Sequence, residues 1–166
     1  MKIFKTSLNK VLRIKNRPFH DFRGKYLEIY NKDLLFKKKI KLNFIQDDIS
    51  ISKKNVLRGV HGDNKTWKLV TCLFGRIKLA VVNNDPESPQ YKKSYVFSLS
   101  GKNNTQILIP PRFGNAHYVQ SKYAIFHYKQ TTNYNRKSQF SIKWNDPNYK
   151  INWRIKSKPI LSKRDG

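Results

Sequence analysis

The segment Phe44-Ile-Gln-Asp-Asp-Ile-Ser-Ile-Ser52 decides the fold class, because its apolar and polar residues alternate. One face consists of isoleucines, namely Ile45, Ile49 and Ile51. The other face is mainly polar and consists of Phe44, Gln46, Asp48 and Ser50. Successive side chains of a strand point to opposite faces, so residues 43–52 predict a β-strand. A polar face on such a strand is typical of a barrel whose mouth holds a polar ligand.

Short strand patterns separated by turns continue along the rest of the chain. They fall at 69–74, 77–82, 94–99, 105–109, 116–121 and 123–130. Gly75-Arg76 predicts a hairpin between the first two, and 83–89 and 100–104 are rich in turn residues. A short helix is predicted at 31–37 or at 7–13. This pattern predicts one all-β domain over 1–166, folded as a sandwich or a closed barrel.

The composition favours a cytoplasmic protein. No apolar run approaches the length needed to cross a membrane, and the N-terminus lacks the apolar stretch of a signal peptide. The only cysteine, Cys72, cannot form an internal disulfide and lies in an apolar run typical of a core. We therefore expect no membrane partner.

The net charge of +25, from 35 Lys and Arg against 10 Asp and Glu, favours an anionic partner. Nucleic acid and a nucleotide-sugar diphosphate both fit. The positive residues are spread along the whole chain, so the charge by itself predicts attraction of anions and not a particular function.

Three side chains near the middle of the chain predict chemistry. The stretch Val56-Leu-Arg-Gly-Val-His-Gly62, followed by Trp67-Lys68, brings together Arg58, His61 and Lys68. An arginine binds phosphate, a histidine moves a proton at neutral pH, and a lysine stabilises an oxyanion. These residue types indicate an enzyme that acts on a phosphorylated carbonyl compound. The four histidines are too scattered to predict a metal site.

Further residues fit the same chemistry. The stretch Phe126-His-Tyr-Lys-Gln-Thr-Thr-Asn-Tyr134 adds two phenols, Tyr128 and Tyr134, as candidate proton donors. Arg23 precedes Gly24 just as Arg58 precedes Gly59, which allows backbone and guanidinium to approach a phosphate together.

Taken in order, these pieces resemble the dTDP-4-dehydrorhamnose 3,5-epimerase family of nucleotide-sugar epimerases. The resemblance runs from about Phe19 to Asp165, through Phe22-Arg-Gly24, Val56-Leu-Arg-Gly59, Tyr128-Lys129 and Trp144-Asn-Asp-Pro147. It implies a cupin-type jelly-roll barrel, a homodimer and no metal or organic cofactor.

The resemblance also implies a role for each matching residue. His61 corresponds to the general base, Asp165 to the carboxylate that orients it, Tyr128 to the proton donor and Lys68 to the group beside the keto oxygen. The residues implied in binding the substrate are Arg23, Glu28, Gln46, Asp47, Asp48, Arg58, Asn115, His117, Tyr134 and Arg164.

Some positions depart from the family pattern. Gly62-Asp63 replaces Tyr-Gln after the histidine, Asp48 replaces an asparagine, and Asn115 replaces a histidine, with His117 two residues on. These changes resemble relatives that act on GDP-linked 4-keto-heptoses in capsule synthesis. We therefore expect a GDP-4-keto-heptose substrate first and a dTDP-4-keto-6-deoxyhexose second.

Two other functions fit part of the sequence. A 3,4-ketoisomerase of nucleotide-linked 4-keto sugars uses a related barrel and similar enolate chemistry. A basic nucleic-acid-binding β-barrel fits the charge and the aromatic residues, but the chain has no compact basic-aromatic motif and this function leaves the acid and base groups unused. We therefore expect no nucleic-acid partner.

Overall fold

The structure is a computed structural model that describes residues 1–155 and 157–166. These residues form thirteen strands and one short α-helix, α1 (Lys32–Lys37), with a single 3-10 turn at Arg136–Ser138. The strands are β1 (Lys2–Lys5), β2 (Leu12–Lys15), β3 (Phe19–Asp21), β4 (Gly24–Tyr26), β5 (Gln46–Lys53), β6 (Leu57–Gly62), β7 (Lys68–Phe74), β8 (Arg76–Asn83), β9 (Ser94–Ser100), β10 (Thr105–Ile109), β11 (Phe113–Val119), β12 (Tyr123–Gln130) and β13 (Phe140–Ser141).

Two antiparallel sheets form the body of the molecule. One has the order β1-β2-β10-β7-β12-β5 and the other has the order β13-β6-β11-β8-β9. β3 and β4 form a separate two-stranded hairpin. The order within each sheet is not the order along the chain, as in a jelly roll, where strands cross between sheets. The predicted all-β jelly roll is confirmed.

Apolar side chains form three packed clusters. A central cluster that includes Val70, Leu79, Ile107 and Phe126 fills the space between the sheets. The C-terminal segment, with Trp153, packs against β6, β8 and β11 in a second cluster. A third cluster joins α1 to β2, β7 and β10. Because the central cluster fills only part of the interior, polar side chains of β5, β6, β11 and β12 line the remainder.

Several strand predictions are confirmed, but the predicted hairpin is wrong. Strands occupy 105–109 and 123–130 as expected, whereas β5 begins at Gln46 and β11 runs from Phe113 to Val119 instead of 116–121. β7 pairs with β10 and β12, while β8 pairs with β9 and β11. Gly75, at φ +78, therefore connects the two sheets and does not form a hairpin turn. A Cβ on Gly75 would lie 2.2 Å from the carbonyl oxygen of Tyr123, so this crossing requires glycine.

The helix lies at the first of its two predicted places. The Asn31 side chain caps it by accepting a hydrogen bond from the backbone N–H of Leu34 at 3.0 Å. Residues 7–10 instead form bends and turns that lead into β2. Among residues 1–155 and 157–166, neither short helix has the length or apolar character to cross a membrane.

Candidate active site

Polar side chains from both sheets and from the C-terminal segment enclose a cavity of about 290 Å³. Its lining consists of Ser50, Arg58, Gly59, His61, Lys68, Asn115, His117, Phe126, Tyr128, Gln130, Tyr134, Gln139, Ser162, Arg164 and Asp165. All four predicted catalytic residues are in this set. The cavity therefore brings together residues that lie more than one hundred positions apart in the chain.

His61 faces the carboxylate of Asp165. Nε2 of His61 and Oδ1 of Asp165 lie 2.7 Å apart, at ion-pair distance, although the two groups are not aligned for a regular hydrogen bond. The other carboxylate oxygen of Asp165 accepts a hydrogen bond from the hydroxyl of Ser162 at 2.8 Å. Because Nε2 faces the carboxylate, Nδ1 is the imidazole nitrogen left to exchange a proton with a ligand.

The environment favours the neutral form of His61. Burial lowers the pKa of His61 below its ordinary value, and the Asp165 carboxylate opposes this effect. The positive charges of Arg164 and Lys68 lower the pKa of His61 further. A neutral imidazole is the form that accepts a proton, so His61 is able to act as a base at neutral pH.

An irregularity in the sheet lets Arg58 and His61 both line the cavity. Residues three apart point to opposite faces of a regular strand. Here β6 pairs with β11 with a register shift between Asn115 and His117. Gly59, at φ +112, lies opposite this shift, and a Cβ there would approach the carbonyl oxygen of Asn115 to 2.5 Å. The glycine thus permits the close approach that places both side chains in one site.

Lys68 is a buried cation. Its Nζ donates a long hydrogen bond of 3.4 Å to Oδ1 of Asn115, and burial lowers the pKa of Lys68. Within 1–155 and 157–166, no carboxylate oxygen lies within 4 Å of its ammonium group. A buried positive charge without an ion pair is well placed to attract a developing oxyanion.

Tyr128 lies on β12 beside aromatic neighbours. Its ring centroid is 5.7 Å from that of Phe126, which in turn stacks on His117 at 4.3 Å. Burial raises the pKa of the Tyr128 phenol, so it keeps its proton until a basic group is formed nearby. Burial also lowers the pKa of His117 to about 3, so this imidazole is neutral at pH 7.

Hydrogen bonds connect the predicted substrate-binding residues at the rim of the cavity. Arg164 donates to the hydroxyls of Ser141 at 3.1 Å and Tyr134 at 3.4 Å. Gln46 does not line the cavity, but its Oε1 accepts a hydrogen bond from the backbone N–H of Tyr134 at 2.7 Å. The Nε2 of Gln46 donates to Asp48, so these two residues support the rim from behind.

Like Gln46 and Asp48, three further predicted substrate-binding residues lie outside the cavity of their own chain. Arg23 is exposed on the β3–β4 hairpin and pairs with Asp21 at 2.6 Å. Glu28 is exposed and accepts a hydrogen bond from Asn31. Asp47 points away from the cavity, where it contacts His127 and Lys129 on the outer face of β12.

Sequence reasoning missed several lining residues. Phe126 and Gln130 share the parity of Tyr128 on β12, and Ser50 lies on the polar face of β5, so alternation identifies them once Tyr128 is chosen. Gln139 and Ser162 come from irregular segments where no periodicity indicates their direction. Within the part of the chain that the structure describes, no three His, Cys, Asp or Glu side chains are grouped to hold a metal ion.

The fold and the site together define an acid–base enzyme: a jelly roll whose cavity holds a carboxylate-backed imidazole, a phenol and a buried ammonium group. The family model of dTDP-4-dehydrorhamnose 3,5-epimerase matches residues 5–166. The chain therefore belongs to this family of isomerases that epimerise nucleotide-linked 4-keto sugars.

Individual relatives agree with this assignment. The chain is 39% identical to the dTDP-4-dehydrorhamnose 3,5-epimerase of Salmonella typhimurium, over 99% of this chain and 92% of that protein. It is 36% identical to the Escherichia coli enzyme of the same name, over 99% of this chain and 91% of that protein.

Among solved structures, it is similar to dTDP-6-deoxy-D-glucose-3,5-epimerase of Legionella pneumophila in complex with dTDP-4-keto-L-rhamnose. The TM-score is 0.95 at 33% identity, over 99% of this chain and 89% of that chain.

Proposed function

We propose that this cavity inverts C3, C5 or both in a nucleotide-diphosphate-linked 4-keto sugar, with His61 as base and Tyr128 as acid. The observation that carries the proposal is the 2.7 Å approach of His61 to Asp165 in a cavity that also contains Tyr128 and Lys68. A keto group at C4 acidifies the C–H bonds at C3 and C5. Inversion then requires removal of a proton from one face and its return to the other.

His61 removes the ring proton through Nδ1. The imidazole becomes positively charged in this step, and the adjacent carboxylate of Asp165 stabilises that charge. Ser162 holds the carboxylate in place through its second oxygen, so Asp165 fixes both the orientation and the tautomer of the ring.

Lys68 stabilises the enolate oxygen, and Tyr128 completes the inversion. The negative charge that develops on the C4 oxygen meets a buried ammonium group, where electrostatic attraction is stronger than in water. Tyr128, kept protonated by burial, donates its proton to the opposite face of the enolate. Arg58 and Arg164 supply positive charge for the diphosphate.

For the substrate, the proposal favours GDP-4-keto-heptose and places a dTDP-4-keto-6-deoxyhexose second. Asn115 lines the cavity beside Lys68 at a position where the family pattern has the larger side chain of histidine. The smaller side chain leaves room at the sugar end of the cavity for the additional carbon of a heptose. The relatives described above are named for dTDP-linked sugars, so the GDP-linked and dTDP-linked substrates must be compared directly.

Deuterium exchange tests this function. The protein is incubated in deuterated water with each of the two nucleotide-linked 4-keto sugars. We expect the sugar to incorporate deuterium at C3 or C5 and that carbon to be inverted, fastest with GDP-4-keto-heptose. Proton NMR measures both events. Faster turnover of the dTDP sugar would reverse the order of substrates, and absence of exchange with both sugars would reject the function. A product with its keto group at C3 would indicate a 3,4-ketoisomerase instead.

The proposal includes a homodimer, because apolar surface remains uncovered beside the site. On the edge strand β5, Ile49 and Ile51 are 60% and 63% exposed. Phe22, at the tip of the β3–β4 hairpin, is 97% exposed. Exposed apolar side chains on an edge strand are typical of a surface that pairs with another molecule. We propose that a second copy covers this face and that the hairpin brings Arg23 to the partner's cavity.

Substitution on this face tests the dimer. We expect Ile49→Glu to convert the protein to a monomer in analytical ultracentrifugation, because the variant places a charge in an apolar interface. We also expect Arg23→Ala to raise KM at least several-fold without dissociating the dimer. Tyr95→Glu is the matched control, since Tyr95 is an exposed aromatic on the edge strand of the other sheet. A wild-type monomer, or a dimer that Ile49→Glu leaves intact, would contradict the proposal.

A further inference from the structure

Asp63 is a buried carboxylate for which the proposed chemistry has no role. It follows β6 two positions after His61, is only 7% exposed, and stands where the family pattern has glutamine. Its Oδ1 accepts hydrogen bonds from the backbone N–H groups of Lys65 and Thr66 at 2.9 and 2.7 Å. Its Oδ2 accepts one from Nε2 of Gln139 at 3.1 Å. Three donors hold the carboxylate in one orientation and in its charged form.

The position of Asp63 matters because of Lys68. Lys68 is 7% exposed, and its ammonium group makes one long hydrogen bond in the cavity, to the neutral amide of Asn115. Burying a charge without compensation is costly, so a cation in this place needs negative charge nearby to remain protonated. Asp63 and Lys68 lie at the two ends of one short loop, and Gln139, which binds Asp63, lines the same cavity as Lys68.

The other charged groups around Lys68 do not supply this charge. Arg58 on β6 and Arg164 from the C-terminal segment are positive. Asp165 is paired with His61 at 2.7 Å, and Asp48 on β5 accepts hydrogen bonds from Gln46 and Gln130, so neither carboxylate is paired with Lys68.

The remaining titratable groups of the cavity are neutral at pH 7. His117 on β11 is held neutral by burial, and burial raises the pKa of the Tyr128 phenol on β12, so it is uncharged near neutrality. Asp63 raises the pKa of Lys68 against the effects of burial and of Arg164.

We propose that Asp63 is a positioning residue that keeps Lys68 charged for its role beside the enolate oxygen. The inference rests on the proposed function, in which Lys68 must be an ammonium group. Asp63 does not touch the substrate; it acts through space on Lys68 and through its hydrogen bonds on the loop that connects β6 to β7. The expected consequence is that the upper pH limit of the reaction depends on a carboxylate outside the cavity.

A titration that needs no turnover tests this inference separately from the function. In protein labelled with ¹³Cε-lysine, the Lys68 resonance is identified by its loss in Lys68→Arg. We expect Asp63→Asn to lower the ionisation midpoint of Lys68 by roughly one pH unit, as loss of a nearby opposite charge does. Asparagine retains an oxygen for the two backbone donors, and rotation of the Gln139 amide restores the third bond. Coincident midpoints in wild type and variant would overturn the proposal.

Two further variants separate charge from structure. Asp63→Ser, whose hydroxyl also accepts backbone N–H bonds, is the second neutral variant and should shift Lys68 in the same direction. Asp146→Asn is the matched control, since Asp146 likewise accepts a hydrogen bond from a backbone N–H two residues on, that of Asn148, and does not line the cavity. It should leave the Lys68 midpoint unchanged. An equal shift in Asp146→Asn would overturn the proposal.

The rate profile gives the functional readout. When the exchange rate is plotted against pH, the midpoint of the basic limb should be lower in Asp63→Asn than in wild type by the same roughly one pH unit. The acidic limb, which is set by His61, should stay in place. In the Lys68→Arg background, where the cation does not titrate in this range, Asp63→Asn should no longer move the basic limb. A purely structural role would lower the rate at every pH without shifting either limb, and would contradict the inference.

Discussion

Replacing His61 by asparagine is expected to reduce deuterium exchange and epimerisation by a factor on the order of 10³ or more, since general-base catalysis and its carboxylate support are both lost. Asparagine is close to histidine in size and fits the position between Asp165 and the cavity, but it has no basic nitrogen. The measurement is the initial rate of deuterium incorporation by NMR, with the nucleotide affinity of the variant determined by calorimetry. We expect that affinity to stay within a few-fold of wild type, because the variant leaves Arg58 and Arg164, the proposed diphosphate ligands, unchanged.

A second histidine provides a matched control. His127 also faces a carboxylate, with its Nε2 2.9 Å from Asp47, but it lies on the opposite face of β12 from Tyr128. His127→Asn should retain exchange within a few-fold of wild type. Exchange by His61→Asn above about a tenth of the wild-type rate would show that another group removes the proton, and would reject His61 as the base.

The alternation of apolar and polar residues predicted the positions of the strands well, but it did not predict which strands pair with each other. The pattern of residues 43–52 identified a strand and its two faces, because side-chain parity is a local property. It also associated the polar face with a ligand-holding barrel, and Ser50 of that face lines the cavity. It did not show that Ile49 and Ile51 on the other face are exposed. The pairing of β7 with β10 and β12 was also missed, because the choice of sheet depends on the left-handed conformation of Gly75 and on contacts with Tyr123 far along the chain.

The site was predictable to different degrees for its different parts. Arg58, His61 and Lys68 were found as residue types close together in the sequence, and the structure places all three in one cavity. Asp165 was identified only through resemblance to a family, since a carboxylate one residue from the end of the chain has no local pattern. Asp63 was recognised as a departure from that family, but its buried hydrogen bonds became visible only in the fold.

Replacing Tyr128 by phenylalanine is expected to separate the two halves of the reaction. The ring continues to pack against Phe126, so the cavity keeps its shape, while the acidic proton is lost. We expect epimerised product to fall by roughly 10²–10⁴-fold, the usual contribution of a positioned acid. Exchange should fall much less, because His61 still removes the proton and returns deuterium to the same face. The product of the variant is therefore deuterated substrate with unchanged configuration.

The ratio of exchange to inversion, measured by NMR on one sample, is the decisive quantity, because a general loss of folding or binding lowers both rates together. Tyr134→Phe is the comparison variant: Tyr134 is also a phenol at the cavity, but it is 50% exposed and its hydroxyl accepts from Arg164. Its loss should raise KM and leave the ratio unchanged. Tyr128→Phe could instead invert the sugar as often per exchange event as wild type. The proton on the second face would then have to come from another donor, and the opposed arrangement of His61 and Tyr128 would not be the basis of inversion.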